Sequence, residues 1–165
     1  MRIKLFFFFL IFFSLFNKAF SNIEDRIVAK VDNEIITNYD LINEVNTILA
    51  LTNKPANKNE LGKLKNLAFV SLKKRLIKET EIKRYKISRY NEADINNYIQ
   101  SLETNLGLIQ QNIGLKDHFE KYNANYEFYL EGVIINFKWN SLIFSLYRKQ
   151  LDVDEELIKS EINRQ

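Results

Sequence analysis

The chain has no cysteine, one proline, one histidine and four glycines in 165 residues. Without cysteine there is no disulfide, no thiolate metal site and no thiol nucleophile. A single histidine excludes metal centres built from several imidazoles. Four glycines argue against a ligand loop that needs close backbone approach, and no GxSxG, HExxH or phosphate-loop motif occurs. The acidic pair Glu155-Glu156 reads as charge favouring a positive helix end, not as an acid–base couple. No enzyme is therefore expected, and no catalytic residue, cofactor or metal ligand is assigned.

What is present begins with an export signal. Arg2 and Lys4 precede the apolar run Leu5–Phe13, which Leu15 and Phe16 extend. Ala19 and Ser21 are small residues placed for cleavage before Asn22. The run is shorter than the roughly 20 apolar residues of a membrane span. A cleaved signal over residues 1–21 and a periplasmic mature chain over 22–165 are expected; an uncleaved N-terminal anchor is the alternative. No cysteine stands at the cleavage site, so a lipoprotein anchor is excluded. The signal holds Arg2, Lys4 and Lys18 and no acid, so the 24 basic and 21 acidic residues of the chain become 21 of each. The basic excess belongs to the signal and predicts no nucleic-acid partner.

The mature part opens with hairpin and helix signals. Ile27, Ala29 and Val31 alternate with Val28 and Lys30, the period of a half-buried strand. Asp32-Asn33 suit a two-residue turn, and Glu34-Ile35-Ile36 form the return strand. Thr37 with Asp40 makes a capping box for a helix carrying Leu41, Ile42, Val45, Ile48 and Leu49.

A loop around Pro55 follows. Asn57 or Asn59 is expected to cap a helix running to Arg84 or Tyr85, with Leu61, Leu64, Leu67, Ala68, Leu72, Leu76 and Ile77 as its apolar face. Lys73-Lys74-Arg75 and Lys78 read as its solvated side. Asn91 is expected to cap a third helix burying Ile95, Tyr98, Ile99, Leu102 and Leu106, with Gly107 ending it. Gly114 marks the next junction. His118, on a short helix over 115–122, reads as a surface or half-buried packing residue.

From Tyr126 to about Leu151 a long helix carries apolar residues over more than the arc of about 100° that a surface helix needs. Glu131, Asn136, Lys138, Asn140 and Arg148 interrupt the run, so no stable membrane span is expected after signal cleavage. Such a surface must be covered by other helices, a second copy or a client chain.

Several of these stretches resemble the N-terminal domain of SurA-type periplasmic chaperones. They are Val28–Thr37 with Asp40-Leu41, Leu76-Ile77-Lys78-Glu79, Tyr85-Lys86-Ile87, Asn91–Ile95 and Val153–Ile158. The resemblance spans about Ile27 to Asn163. It implies a mainly α fold, a bundle of about five or six helices with a short N-terminal β-hairpin. It also implies a holdase that binds unfolded outer-membrane proteins or apolar peptides and assists their folding. Relatives usually continue into a parvulin-type prolyl isomerase domain and a returning C-terminal segment. Neither is expected here, so the uncovered surface is expected to meet clients or a homodimer partner.

Within this reading Phe128, Ile135, Trp139, Leu142 and Leu146 are the candidate client-binding residues. Tyr126, Leu130, Val133, Phe137 and Phe144 are assigned to the core. The alternatives are a non-catalytic exported subunit docking one fixed partner, a residual relative of a prolyl isomerase, and a split relative with its other domains on another chain.

Overall fold

The computed structural model describes residues 26–31, 34–55 and 57–148. The signal and its cleavage site, the Asp32-Asn33 turn, Leu151 and the segment 153–158 lie outside the described residues. Two strands, β1 (Ile27–Val31) and β2 (Glu34–Thr37), precede five helices. These are α1 (Asn38–Thr52), α2 (Leu61–Arg84), α3 (Glu92–Asn105), α4 (Leu115–Lys121) and α5 (Tyr126–Tyr147), with one 3-10 turn at Ile109–Gln111. The fold is mainly helical with a short hairpin, as the sequence predicts.

The strands pair antiparallel, with Val31 opposite Glu34 and Ala29 opposite Ile36. Ile27 then faces Thr37, so Val28 is an extra residue and the strand bulges there. The bulge breaks the expected alternation: Ile27 and Val28 are both exposed, and Ile36 carries the hairpin's contact with the core. Lys83 fastens the hairpin to α2, its Nζ lying 2.9 Å from Glu34 and 2.9 Å from Glu79.

The expected capping box is present. Thr37 N donates to Asp40 Oδ2 at 2.8 Å, and Asp40 N donates to Thr37 Oγ1 at 3.2 Å. Asn91 caps α3 and Asn125 caps α5 through their side-chain oxygens. The cap of α2 differs from expectation. Glu60 stands there without a side-chain bond, and Asn57 instead accepts the Asn59 amide in a turn before the helix. Helix ends use left-handed residues: Asn53, Asn112, Asn123, Lys86 and Gly107 all have positive φ. Asparagine tolerates this region because its short amide bonds locally.

Phe119 of α4 is fully buried at the centre of a cluster with Ala50, Leu108, Leu115 and Ala124. The Tyr129 ring lies 4.9 Å from it and the Tyr126 ring 6.0 Å, edge-on. A second cluster, Val45, Leu49 and Ala68, joins α1 to α2. His118 is more buried than the sequence suggests. Its Nε2 lies 2.9 Å from the Ala50 carbonyl oxygen, which only accepts, so Nε2 carries the proton. The apolar face of α2 is also narrower than expected. Ala68, Leu72 and Ile82 are buried, whereas Leu67 and Ile77 are exposed. At about 100° per residue Ile77 falls opposite Ala68 on the helix.

Candidate functional site

The long helix α5 is the element around which clefts form. Asn125 Oδ1 accepts the Phe128 amide at 3.1 Å and Glu127 lies in the first turn, so the helix start is fixed by a cap and a favourable charge. Its first half rests on Phe119. Its flank is held by α2 through a contact that the sequence does not announce. The Arg75 guanidinium lies 3.9 Å from the Phe128 ring centre, and its Nη1 donates to the Phe128 carbonyl at 3.1 Å. Gly132 leaves the room: a Cβ there would stand 3.2 Å from Arg75 Nη1 and 3.4 Å from Arg75 Cδ. Lys78 Nζ donates to Asn136 Oδ1 at 2.6 Å one turn further on. Arg75 and Lys78 therefore cross to α5, a correction to their reading as a solvated face; Lys73 and Lys74 remain exposed.

Beyond α2 the connection 86–91 runs beside α5, with Lys138 Nζ 5.3 Å from the centre of the Tyr90 ring. Two open grooves flank this junction. One, of about 500 Å³, lies between α3 and α5 and is lined by Ile95, Ile99, Tyr126, Leu130 and Ile134, with Glu92 and Glu103 among its polar residues. The other, of about 490 Å³, lies between the end of α2 and α5. Its apolar residues are Ile82, Ile87, Ile134 and Ile135, and Lys83, Lys86, Lys138, Glu79 and Glu131 surround them. Ile134 belongs to both grooves. The first groove carries acidic groups without a base, while lysines predominate in the second. Burial, then the carboxylates of Glu127 and Glu103, raises the Tyr126 phenol above its ordinary value, so it faces the acidic groove uncharged.

The five candidate residues do not form one surface. Phe128 is half-buried beneath Arg75, and Trp139 is half-buried. Ile135 is buried in the lysine-bordered groove, and Leu142 is buried at 2 % exposure. Leu146 is exposed. The division of α5 into outer and core faces is partly reversed. Ile135 and Leu142 are buried, whereas Phe144, assigned to the core, is 58 % exposed. Of the other core assignments, Val133 is buried, Phe137 is half-buried, and Tyr126 and Leu130 line the α3 groove. The stripe from Phe128 to Leu142 is a packing seam, and Ile135 meets the end of α2 there.

Ile82, Ile134 and Tyr90 are among the groove residues to which the sequence reading assigned no role, and Ile87 entered only through the resemblance. Nothing in helical periodicity separates Ile134 from its neighbour Ile135. Among the described residues, no group of three or more His, Cys, Asp or Glu could hold a metal, and no helix is long and apolar enough to cross a membrane. The grooves can hold apolar side chains by non-covalent contact, with charged groups at their borders. Comparison with family models, with curated proteins and with solved structures finds no match to this chain.

Proposed function

We propose that the chain is a periplasmic holdase-type chaperone module, similar to the N-terminal domain of SurA-type proteins. Its clients are unfolded outer-membrane proteins, held while they travel to their membrane. The observation that supports this most is the pair of open grooves, one mainly apolar and one of mixed lining, that meet at Ile134. Open grooves of this size accept side chains from an extended segment without demanding one sequence. Opposite charge balance on the two grooves allows flanking residues of either sign. The mechanism is equilibrium capture and release, without a covalent step, nucleotide or metal.

The test is a peptide array probed with the chain, with Ile134→Ser and Leu67→Ser variants. Leu67 is exposed on α2 and lines neither groove. Unrelated apolar peptides should bind at micromolar strength, and Ile134→Ser should weaken most of them about tenfold while Leu67→Ser does not. Equal behaviour of the two variants would sink the groove assignment.

A second reading is a subunit that docks one fixed partner. The last turns of α5 favour it, because Phe144, Leu146 and Tyr147 are all exposed there. A dedicated subunit binds one partner tightly and ignores the array.

A further inference from the structure

The two grooves beside α5 are sectors of one trough. Tyr126, Leu130 and Ile134 line the first, on the α3 side, and Ile134, Ile135 and Lys138 line the second, on the side of the α2 end. At about 100° per residue these two sets cover adjoining arcs of the helix, and Ile134 stands on the border between them. The half-buried Ile134 side chain is therefore floor to both grooves. Two separate segments would compete for it, whereas one segment crossing it fills both. The α5 stretch from Tyr126 to Lys138 is about 18 Å long, a distance that about six residues of extended chain span.

The charged groups differ at the two ends of this path. On the α3 side stand Glu92 and Glu103, with no lysine, arginine or histidine in the lining. Glu103 is half-buried and spends one oxygen on the Leu115 amide at 2.8 Å, and Glu92 is exposed. At the other end Lys83 is already paired with Glu34 and Glu79, so it drops out of the balance. That leaves exposed Lys86 and half-buried Lys138 against Glu131. Among the described residues neither lysine forms an ion pair. Lys138 lies over the Tyr90 ring, and Tyr90 lines the first groove, so this contact stands where the acidic and basic sectors meet.

We propose that the trough takes a single extended polypeptide segment of about six residues, with a basic residue beside Glu92 and Glu103, apolar side chains on either side of Ile134, and an acidic residue beside Lys86 and Lys138. On the chaperone reading, on which this rests, the trough selects client segments by charge order as well as by apolar content. The charge contacts lie at open borders, where an ion pair is worth little, so they set preference while the apolar seats supply the attraction.

The test is fluorescence anisotropy of short labelled peptides with the full chain. Four peptides share one apolar centre. Two carry lysine at one end and glutamate at the other, in the two chain directions; the third carries glutamate at both ends and the fourth lysine at both. One of the two ordered peptides should bind about fivefold tighter than each of the other three, an advantage that shrinks as salt screens it. Glu92→Lys should shift the preference toward the peptide with glutamate at both ends, and Lys86→Glu toward the one with lysine at both. A gain of binding to a different peptide cannot come from misfolding. Equal binding of all four peptides, or two peptides held per chain, overturns the single ordered segment and leaves the holdase reading standing. Self-association that Ile134→Ser abolishes gives the trough to a second copy and overturns it as well. Failure of every peptide to bind removes the holdase reading itself, and the ordered segment with it.

Discussion

Gly132→Ala tests the seam between α2 and α5, because two effects of opposite sign meet at one atom. In a helix interior, replacing glycine by alanine stabilises by about 1 kcal/mol through backbone entropy. The added Cβ would stand 3.2 Å from Arg75 Nη1, tighter than an ordinary contact. Arg75 must then leave its place over Phe128. The hydrogen bond to the Phe128 carbonyl, discounted for its partial exposure, contributes about 1 kcal/mol. The stack of the cation on the ring contributes about 1–2 kcal/mol more when half-buried. The loss of about 2–3 kcal/mol exceeds the gain, so Gly132→Ala should destabilise by about 1–2 kcal/mol. Arg75→Ala removes every atom in the way, so in that background Gly132→Ala should stabilise by about 1 kcal/mol. Urea unfolding of the four proteins of this cycle gives the coupling directly, about 2–3 kcal/mol with a change of sign. Thermal midpoints should follow at about 3 °C per kcal/mol. Were Gly132→Ala to stabilise the chain with Arg75 in place, Arg75 would be swinging aside without loss, and the seam would carry no energy.

Two further outcomes follow from single residues. Burial and the Tyr98 bond raise the Tyr129 phenol, so the folded state keeps its proton where the unfolded state, at about pH 10, begins to lose it. Its contribution to stability is complete below pH 10 and is lost as pH rises further, because the unfolded chain then binds fewer protons. An absorbance titration of the phenolates should show one tyrosine ionising only with unfolding, and Tyr129→Phe should remove that lagging step; a normal titration of all eight tyrosines would contradict the packing. Lys86 closes α2 at φ +55°, a conformation that disfavours a side chain by about 1 kcal/mol. Lys86→Gly should therefore raise the unfolding free energy measured in urea by about that amount, and a lowered value would mean that the Lys86 side chain holds the 86–91 connection in place.

Local signals were legible because their physics is local. Thr37 with Asp40, and Asn91, satisfy free amides a few residues away, so composition and spacing alone locate two helix starts. Gly107 at φ +69° ends α3 for the same kind of reason. The cap of α2 was not legible, because Asn57 spends its side-chain oxygen on a turn and leaves Glu60 at the helix start.

The sequence by itself determined the hairpin, the order of the helices and most of their ends, since each depends on hydrogen bonds and backbone angles within a few residues. Tertiary structure alone decided which arc of α5 is covered. That helix is apolar almost all round, so its own periodicity leaves the buried face undetermined. The choice fell to features on other elements: the Phe119 ring under its first half, the Arg75 guanidinium fitted against Gly132, and the 86–91 connection beside Lys138. Ile134 and Ile135 are neighbours of one chemistry, and only those contacts make one a residue shared by two grooves and the other a buried residue.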